Sequence, residues 1–246
     1  MIWLRCALFY LLSYAGTLVI AVASLPLLLL PWRWILPMLR LWAGMVMLLL
    51  RLIVGIRVRI TGAEHLPLGG AALIAAKHQS AFDTVVWLWL LPDTVYVLKR
   101  ELLRVPLWGW VAAKGRMIPV DRTGGAAAMR QLLRAGKDAA AAGRQIVIFP
   151  EGTRVPPGEY LPFQPGIAAL AAATGLPVVP VATDSGVLWG RKAFRKKPGT
   201  ITVAVLPALP AGLRRDALLG ALEAAITTET DRLLGRGRLR SDQPNG

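Results

Sequence analysis

The feature that most constrains this chain stands at its start: residues 6–32 carry no charged side chain over 27 positions. A bilayer core about 30 Å thick is crossed by about 20 helical residues, so this run is long enough to span one. It is also long for a buried core helix. Pro26 and Pro31 interrupt it, because proline lacks a backbone N–H and clashes with the preceding turn. A second run, residues 34–50, has 17 residues with Arg40 inside it. That is marginal for a span and fits an interfacial helix, with Trp32, Trp34 and Trp42 at headgroup depth. A cleavable leader would use Arg5 as its basic start and Ala21-Val22-Ala23 as its small-residue site, but a second apolar segment follows. Two full spans would put Arg33 outside the cytoplasm, against the inside preference of basic loops. The expectation is a single span, or a partly inserted helix pair, that keeps the body on the cytoplasmic face.

Charge sharpens this reading. The formal net charge is +15, and only 17% of residues are charged while 55% are hydrophobic. Disorder is excluded, because disordered chains combine low hydrophobicity with high charge. Six arginines precede the first acid, Glu64, leaving 23 bases against 14 acids in the remainder. An oily, basic chain meets a membrane surface, an anionic lipid or a nucleic acid. The nucleic-acid reading lacks any supporting signature. One cysteine, Cys6, and two histidines, His65 and His78, allow neither an internal disulfide framework nor a Cys/His zinc site.

From Arg57 onward short apolar strands alternate with helices. Strands are expected at residues 57–60, 71–76, 95–98, 117–120, 146–149, 178–182 and 201–206, and helices at 81–90, 126–142 and 166–174, the last two ended by Gly143 and Gly175. An amphipathic helix runs from Leu213 to Leu234, and a frayed basic tail follows Gly235. The alternation predicts an α/β domain with a mixed, largely parallel sheet flanked by helices. The segments are residues 1–55, a membrane-associated helical segment; 56–212, the α/β domain; and 213–246, the C-terminal helix and tail.

The chain has no phosphate loop, no dinucleotide fingerprint and no nucleophile elbow, and none of its five serines stands in a triad context. Group transfer would then proceed by direct attack of an activated substrate hydroxyl. His78 follows a strand and precedes a helix, in Lys77-His78-Gln79-Ser80-Ala81-Phe82-Asp83. On one helix His78 and Asp83 would lie about 140° apart. They meet only if His78 is in the loop and Asp83 in the first helical turn. Asp83 would then fix the imidazole tautomer and leave the other nitrogen as a general base. Ser80-x-x-Asp83 is equally a capping box, and both roles are open. A second cluster, Phe149-Pro150-Glu151-Gly152-Thr153-Arg154, turns sharply after a buried strand. Its arginine is suited to grip phosphate with a planar fork, although a solvated surface turn would look the same.

Together these boxes resemble the lysophosphatidic acid acyltransferase family, the 1-acylglycerol-3-phosphate O-acyltransferases. The family's HX4D box matches His78 and Asp83, and its FPEGTR box matches Phe149 to Arg154 without a gap. Lys99-Arg100-Glu101-Leu102, Gly115 to Arg122, Leu161-Pro162-Phe163 and Leu176 to Val181 resemble further family segments, covering roughly residues 60–183. The resemblance implies His78 and Asp83 as the catalytic pair, and Lys99, Arg122, Glu151, Gly152, Thr153 and Arg154 as the substrate-binding set. It implies acyl-CoA or acyl carrier protein as thioester donor, lysophosphatidic acid and membrane lipid as partners, and no metal or organic cofactor. The place would be the cytoplasmic (inner) membrane. Lys77 departs from the family's usual asparagine, Gln164 from lysine, and Val155-Pro156 from serine, which leaves other acceptors open, such as a lyso-ornithine lipid or lysophosphatidylethanolamine. A basic membrane-binding protein without activity is the non-enzyme alternative. His65 reads as a surface turn residue. The basic stretch 191–197 reads either as a solvated loop or as a contact for anionic lipid or acidic carrier protein.

Overall fold

A computed structural model describes residues 1–121, 123–191 and 193–236. Helix α1 covers Ile2–Ala23 and ends where Pro26 forbids another turn; a tight turn over Pro26–Leu29 and a short one at Trp32–Trp34 lead into α2, Ile35–Leu49. The second helical stretch is longer than its 17-residue run predicts. It continues without a break through Leu50–Val54 and is stopped only by Gly55, at φ +81°. Arg51 did not end it, because a long cationic side chain is tolerated on an exposed helix face. Both stretches, 22 and 23 residues, are long and apolar enough to cross a membrane.

Among the described residues seven strands form one sheet: β1 Ile56–Thr61, β2 Ala72–Ala76, β3 Thr94–Lys99, β4 Ile118–Val120, β5 Gln145–Ile148, β6 Val178–Thr183 and β7 Gly199–Val205. Their order is β1-β7-β6-β2-β5-β3-β4. Every pairing is parallel except β6 with β7, so the expected mixed, largely parallel sheet is present. Strand β2 is buried along its whole length, as are β5 and β6. This explains why they read as unbroken apolar runs rather than alternating ones. The flanking helices are α3 Asp83–Leu90, α4 Trp108–Lys114, α5 Gly125–Ala141, α6 Gly166–Thr174, α7 Ser185–Leu188 and α8 Arg215–Leu233. Gly143 and Gly175, at φ +76° and +66°, supply the left-handed positions that close α5 and α6. In α8, Leu218, Leu222 and Ile226 are buried at four-residue spacing, and the helix packs on β6 and α6. The expected tail lies outside the described residues beyond Arg236.

The N-terminal pair is bound to the body at both ends. Near the start of α1, Trp3 stacks on Phe194 at 5.6 Å, and Phe9 meets Trp189 edge-on at 5.8 Å. At the other end, Pro26–Leu29 packs on α4, while the Trp32 ring lies under the Arg144 and Arg116 guanidinium groups at 4.4 and 5.3 Å. Arg144 is buried and paired with Asp93 at 2.7 Å, so this clamp is part of the body. The two helices cross closely at Gly16, where a Cβ would stand 2.3 Å from the Met45 sulfur. Trp42 Nε1 donates to Thr17 Oγ1 at 2.9 Å across the same crossing.

Candidate active site

A cavity of about 920 Å³ opens beside the carboxyl ends of the parallel strands β2, β3, β4 and β5, the edge at which open α/β sheets receive ligands. One side of it is apolar, with Trp42, Leu88, Val111, Met117 and Leu132 in its wall. The other side carries His78, Lys99, Thr153 and Arg154.

His78 lies in the loop after β2, and Asp83 opens α3, the arrangement their spacing required. His78 Nδ1 is 3.1 Å from Asp83 Oδ2. That same oxygen accepts the backbone N–H groups of Gln79 at 2.7 Å and Ser80 at 2.8 Å. Three polar contacts on one buried oxygen fix the carboxylate in place, and with Nδ1 turned toward Asp83 the ring nitrogen not engaged by it is Nε2. Ser80 Oγ accepts the Phe82 N–H at 3.0 Å. Only half of the capping box is therefore formed: Asp83 accepts the Ser80 N–H, but Ser80 bonds Phe82 rather than Asp83, and α3 begins at Asp83 itself without a side-chain cap.

Glu151 lines the cavity too, and its carboxylate is engaged within the protein. Its side chain is fully buried and ion-paired with the Lys77 ammonium, also buried. Its second oxygen accepts the His78 backbone N–H at 3.3 Å. Burial pushes the Glu151 carboxyl up from its ordinary value, and the Lys77 charge beside it pulls it back. The residue thus ties the His78 loop to the loop after β5. That second loop is a tight turn: the Gly152 N–H donates to the Phe149 carbonyl at 2.9 Å, with Pro150 leading the turn and Gly152 at φ +68°. The Phe149 ring stacks on His78 at 4.1 Å and nearly parallel, 18° between planes. The Val155 N–H donates to the His78 carbonyl at 2.8 Å, a third link between the loops.

Lys99, Gly152, Thr153 and Arg154 all line the cavity with His78. Lys99 is exposed at the end of β3 and Arg154 is half-buried. Neither has an ion-pair partner among the described residues, so both charges are available to an anion. Arg122 lies outside the described residues; its neighbour Asp121 accepts from Thr123 and pairs with Arg100 at 3.7 Å. No group of three or more His, Cys, Asp or Glu side chains suited to a metal ion occurs among the described residues. Two features escaped the sequence. Lys77 and Glu151 are 74 residues apart, and nothing local announces that they pair. Arg191, read only as part of a basic stretch, also lines the cavity.

The parallel-sheet domain thus places His78, held by Asp83, in the wall of a cavity that is also lined by cations without an ion-pair partner among the described residues. The acyltransferase family model matches residues 57–184, a span that holds both loops. A 1-acyl-sn-glycerol-3-phosphate acyltransferase of Pseudomonas aeruginosa is 38% identical over 192 residues, 77% of this chain and 74% of that protein. One of Limnanthes douglasii is 34% identical over 212 residues, covering 84% and 74%. The crystal structure of the 1-acyl-sn-glycerophosphate acyltransferase of Thermotoga maritima shares the fold, with a TM-score of 0.76 over 95% of this chain and 99% of that one at 21% identity. The chain belongs to the 1-acyl-sn-glycerol-3-phosphate acyltransferase family.

Proposed function

We propose that this enzyme moves a fatty acyl group from a thioester, acyl-CoA or acyl carrier protein, to the sn-2 hydroxyl of lysophosphatidic acid, giving phosphatidic acid. The observation that carries the mechanism is the 3.1 Å contact between His78 and Asp83, which leaves Nε2 as the base beside the cavity. His78 Nε2 takes the acceptor hydroxyl proton as that oxygen attacks the thioester carbonyl carbon. The tetrahedral intermediate collapses, the carbon–sulfur bond breaks, and the leaving thiolate takes the proton back from the imidazolium. The products are phosphatidic acid and free thiol, and the histidine is regenerated. Asp83 balances the imidazolium charge and holds the ring. Phe149 limits ring rotation by stacking, and the Lys77–Glu151 pair sets the loop from behind. Lys99 and Arg154, with Arg122, receive the acceptor phosphate, and the apolar side of the cavity takes acyl chain. No metal or organic cofactor enters this scheme.

The helix pair supports a place in one leaflet of the cytoplasmic membrane. Because α1 is held to the body at both ends, a perpendicular span would drag the body's α4 and Trp189 surfaces into the bilayer. Lying flat, it buries an outward apolar face while Arg33, Arg40 and Arg51 meet anionic headgroups. The acyltransferase body then remains in the cytoplasm with its cavity at lipid depth.

The decisive experiment is thiol release from acyl-CoA by the purified full chain, offered lysophosphatidic acid, lysophosphatidylethanolamine, a lyso-ornithine lipid and monoacylglycerol in turn. Release is expected with lysophosphatidic acid above all others. Equal rates with a phosphate-free acceptor would overturn the acceptor assignment, and no release with any acceptor would overturn acyl transfer.

A further inference from the structure

Helix α7 and the loop that joins it to β7 are fastened from two directions, and neither fastening belongs to the chemistry already described. On the catalytic side, Gln79, next to His78, accepts the Gly186 N–H through Oε1 at 3.0 Å. Gly186 sits so tightly there that a Cβ would come within 2.9 Å of Gln79 Cβ and 2.8 Å of Pro157. On the membrane side, Lys196 is fully buried. Its ammonium stands over three rings, Tyr10 at 3.6 Å, Trp189 at 4.6 Å and Phe9 at 4.8 Å. Its backbone N–H donates to Cys6 Sγ at 3.3 Å. The Tyr10 hydroxyl donates to the Ala193 carbonyl at 3.5 Å, and Phe194 stacks on Tyr10 at 5.1 Å. Between these two anchors lies Arg191. Its side chain is exposed, has no ion-pair partner among the described residues, and lines the same cavity as Lys99 and Arg154.

We propose that Arg191 is a further phosphate-binding residue of this cavity, and that Lys196 in its aromatic cage is the positioning residue that fixes it there by tying the loop to helix α1. The proposal rests on the reading of the cavity as the meeting place of two phosphate-bearing substrates. An arginine without a carboxylate partner at the mouth of a cavity already holding unpaired cations is suited to a phosphate oxyanion, through its planar fork. An ammonium enclosed by three aromatic faces is held by the negative ring quadrupoles. Burial pushes Lys196 down to about 8, with Cys6 pulling it partly back, and a charge kept there is compensated by the cage and by the Phe194 carbonyl at 3.3 Å. The arrangement makes the position of Arg191 depend on α1, the element that touches lipid.

The phosphate belongs either to the lysolipid or to the coenzyme A moiety of the donor, and direct binding separates them. Calorimetric titration of the full chain in detergent micelles with lysophosphatidic acid, coenzyme A and monoacylglycerol gives three dissociation constants for each variant. A charge-assisted contact corresponds to about tenfold to a hundredfold in affinity. Arg191→Met is expected to weaken lysophosphatidic acid or coenzyme A by at least about tenfold and to leave monoacylglycerol unchanged; which of the two weakens identifies the source. Lys196→Met, which keeps an apolar side chain in the cage, should weaken the same ligand, and Lys196→Arg should restore it. The double variant Arg191→Met/Lys196→Met should bind no more weakly than Arg191→Met alone, whereas additive losses would show that Lys196 acts by another route. Unchanged affinity for both phosphate ligands in Arg191→Met, or no binding of either by the wild type, overturns the proposal. Phosphate binding without acyl transfer would instead defeat the proposed reaction and leave this site standing.

Discussion

Two regions of the molecule break the usual distribution of side chains in opposite senses. Helix α1 exposes apolar residues: Leu4, Leu11, Leu18 and Val19 face outward, and only Cys6 and Phe9 of its 22 residues are buried. The loops around His78 bury charge instead, with Lys77, Asp83 and Glu151 each no more than 3% exposed. Exposed apolar surface in a large continuous patch marks a partner outside the chain. Buried charge demands a partner within it. On the function proposed above, the first departure is the surface offered to lipid, and the second fixes the loops that hold His78. Each can be broken separately.

The largest effect belongs to the buried side. His78→Ala should lower kcat by about 10²–10⁴-fold, the usual worth of general-base assistance, while cosedimentation with anionic vesicles stays at the wild-type level. A variant that lost both would collapse the distinction between the two regions. Next comes the ion pair behind the histidine. Lys77→Met leaves the Glu151 carboxylate buried without its cation, a loss of about 3–5 kcal/mol, measurable by thermal unfolding. The double change Lys77→Met/Glu151→Gln should recover most of it, because removing both charges also removes their desolvation cost.

Arg154→Ala should raise the KM for lysophosphatidic acid with kcat nearly kept, by the factor that a lost contact of about 1.5–3 kcal/mol implies. A wild-type KM would remove Arg154 from the phosphate site. On the lipid side, Leu11→Ser combined with Leu18→Ser should weaken vesicle partitioning by at least about tenfold, since each leucine withdrawn from an apolar phase forfeits about 1.5–3 kcal/mol. The unfolding temperature of the body should not move. If it fell, these leucines would be core residues.

The smallest effect is a slope. Burial raises the Glu151 carboxyl above its ordinary 4.5, so the folded chain holds that proton more tightly than the unfolded one. The stability this residue contributes is fully present below 4.5 and is lost as pH rises through the raised value. In the Lys77→Met/Glu151→Gln double variant that part of the pH–stability curve should flatten.

Much of this was legible beforehand. Helix α6 was bounded correctly at Gly166–Thr174, because a left-handed glycine is a local signal. The meeting of His78 and Asp83 was legible as a condition, since five residues reach across a loop-to-helix turn but not along a helix face, and the structure meets that condition. The run 34–50 matches α2, Ile35–Leu49, but the helical continuation through Leu50–Val54 was not legible, because a charge such as Arg51 ends a hydropathy pattern without ending hydrogen bonding. Glu151 lines the cavity with the rest of its turn, but its pairing with Lys77 was not legible. A carboxylate beside an arginine in a tight turn looks solvent-facing until a lysine from another strand end is laid against it. The caged Lys196 was invisible in a basic stretch, because its partners, Phe9 and Tyr10, lie on the first helix.

The sequence by itself determined what is encoded by neighbours: the alternation of strands and helices, the glycine stops, the proline break after α1, and the condition under which Asp83 meets His78. These depend on dihedral preference and on side-chain distances within a few residues. Only the tertiary structure decided which charges are consumed and which are left for substrate. It pairs Lys77 with Glu151, encloses Lys196 in aromatic rings, and leaves Lys99, Arg154 and Arg191 facing one cavity. An ion pair or a cage is a matter of a few ångströms between segments far apart in the chain, and parallel strand order, not sequence proximity, brings those segments to the same edge of the sheet.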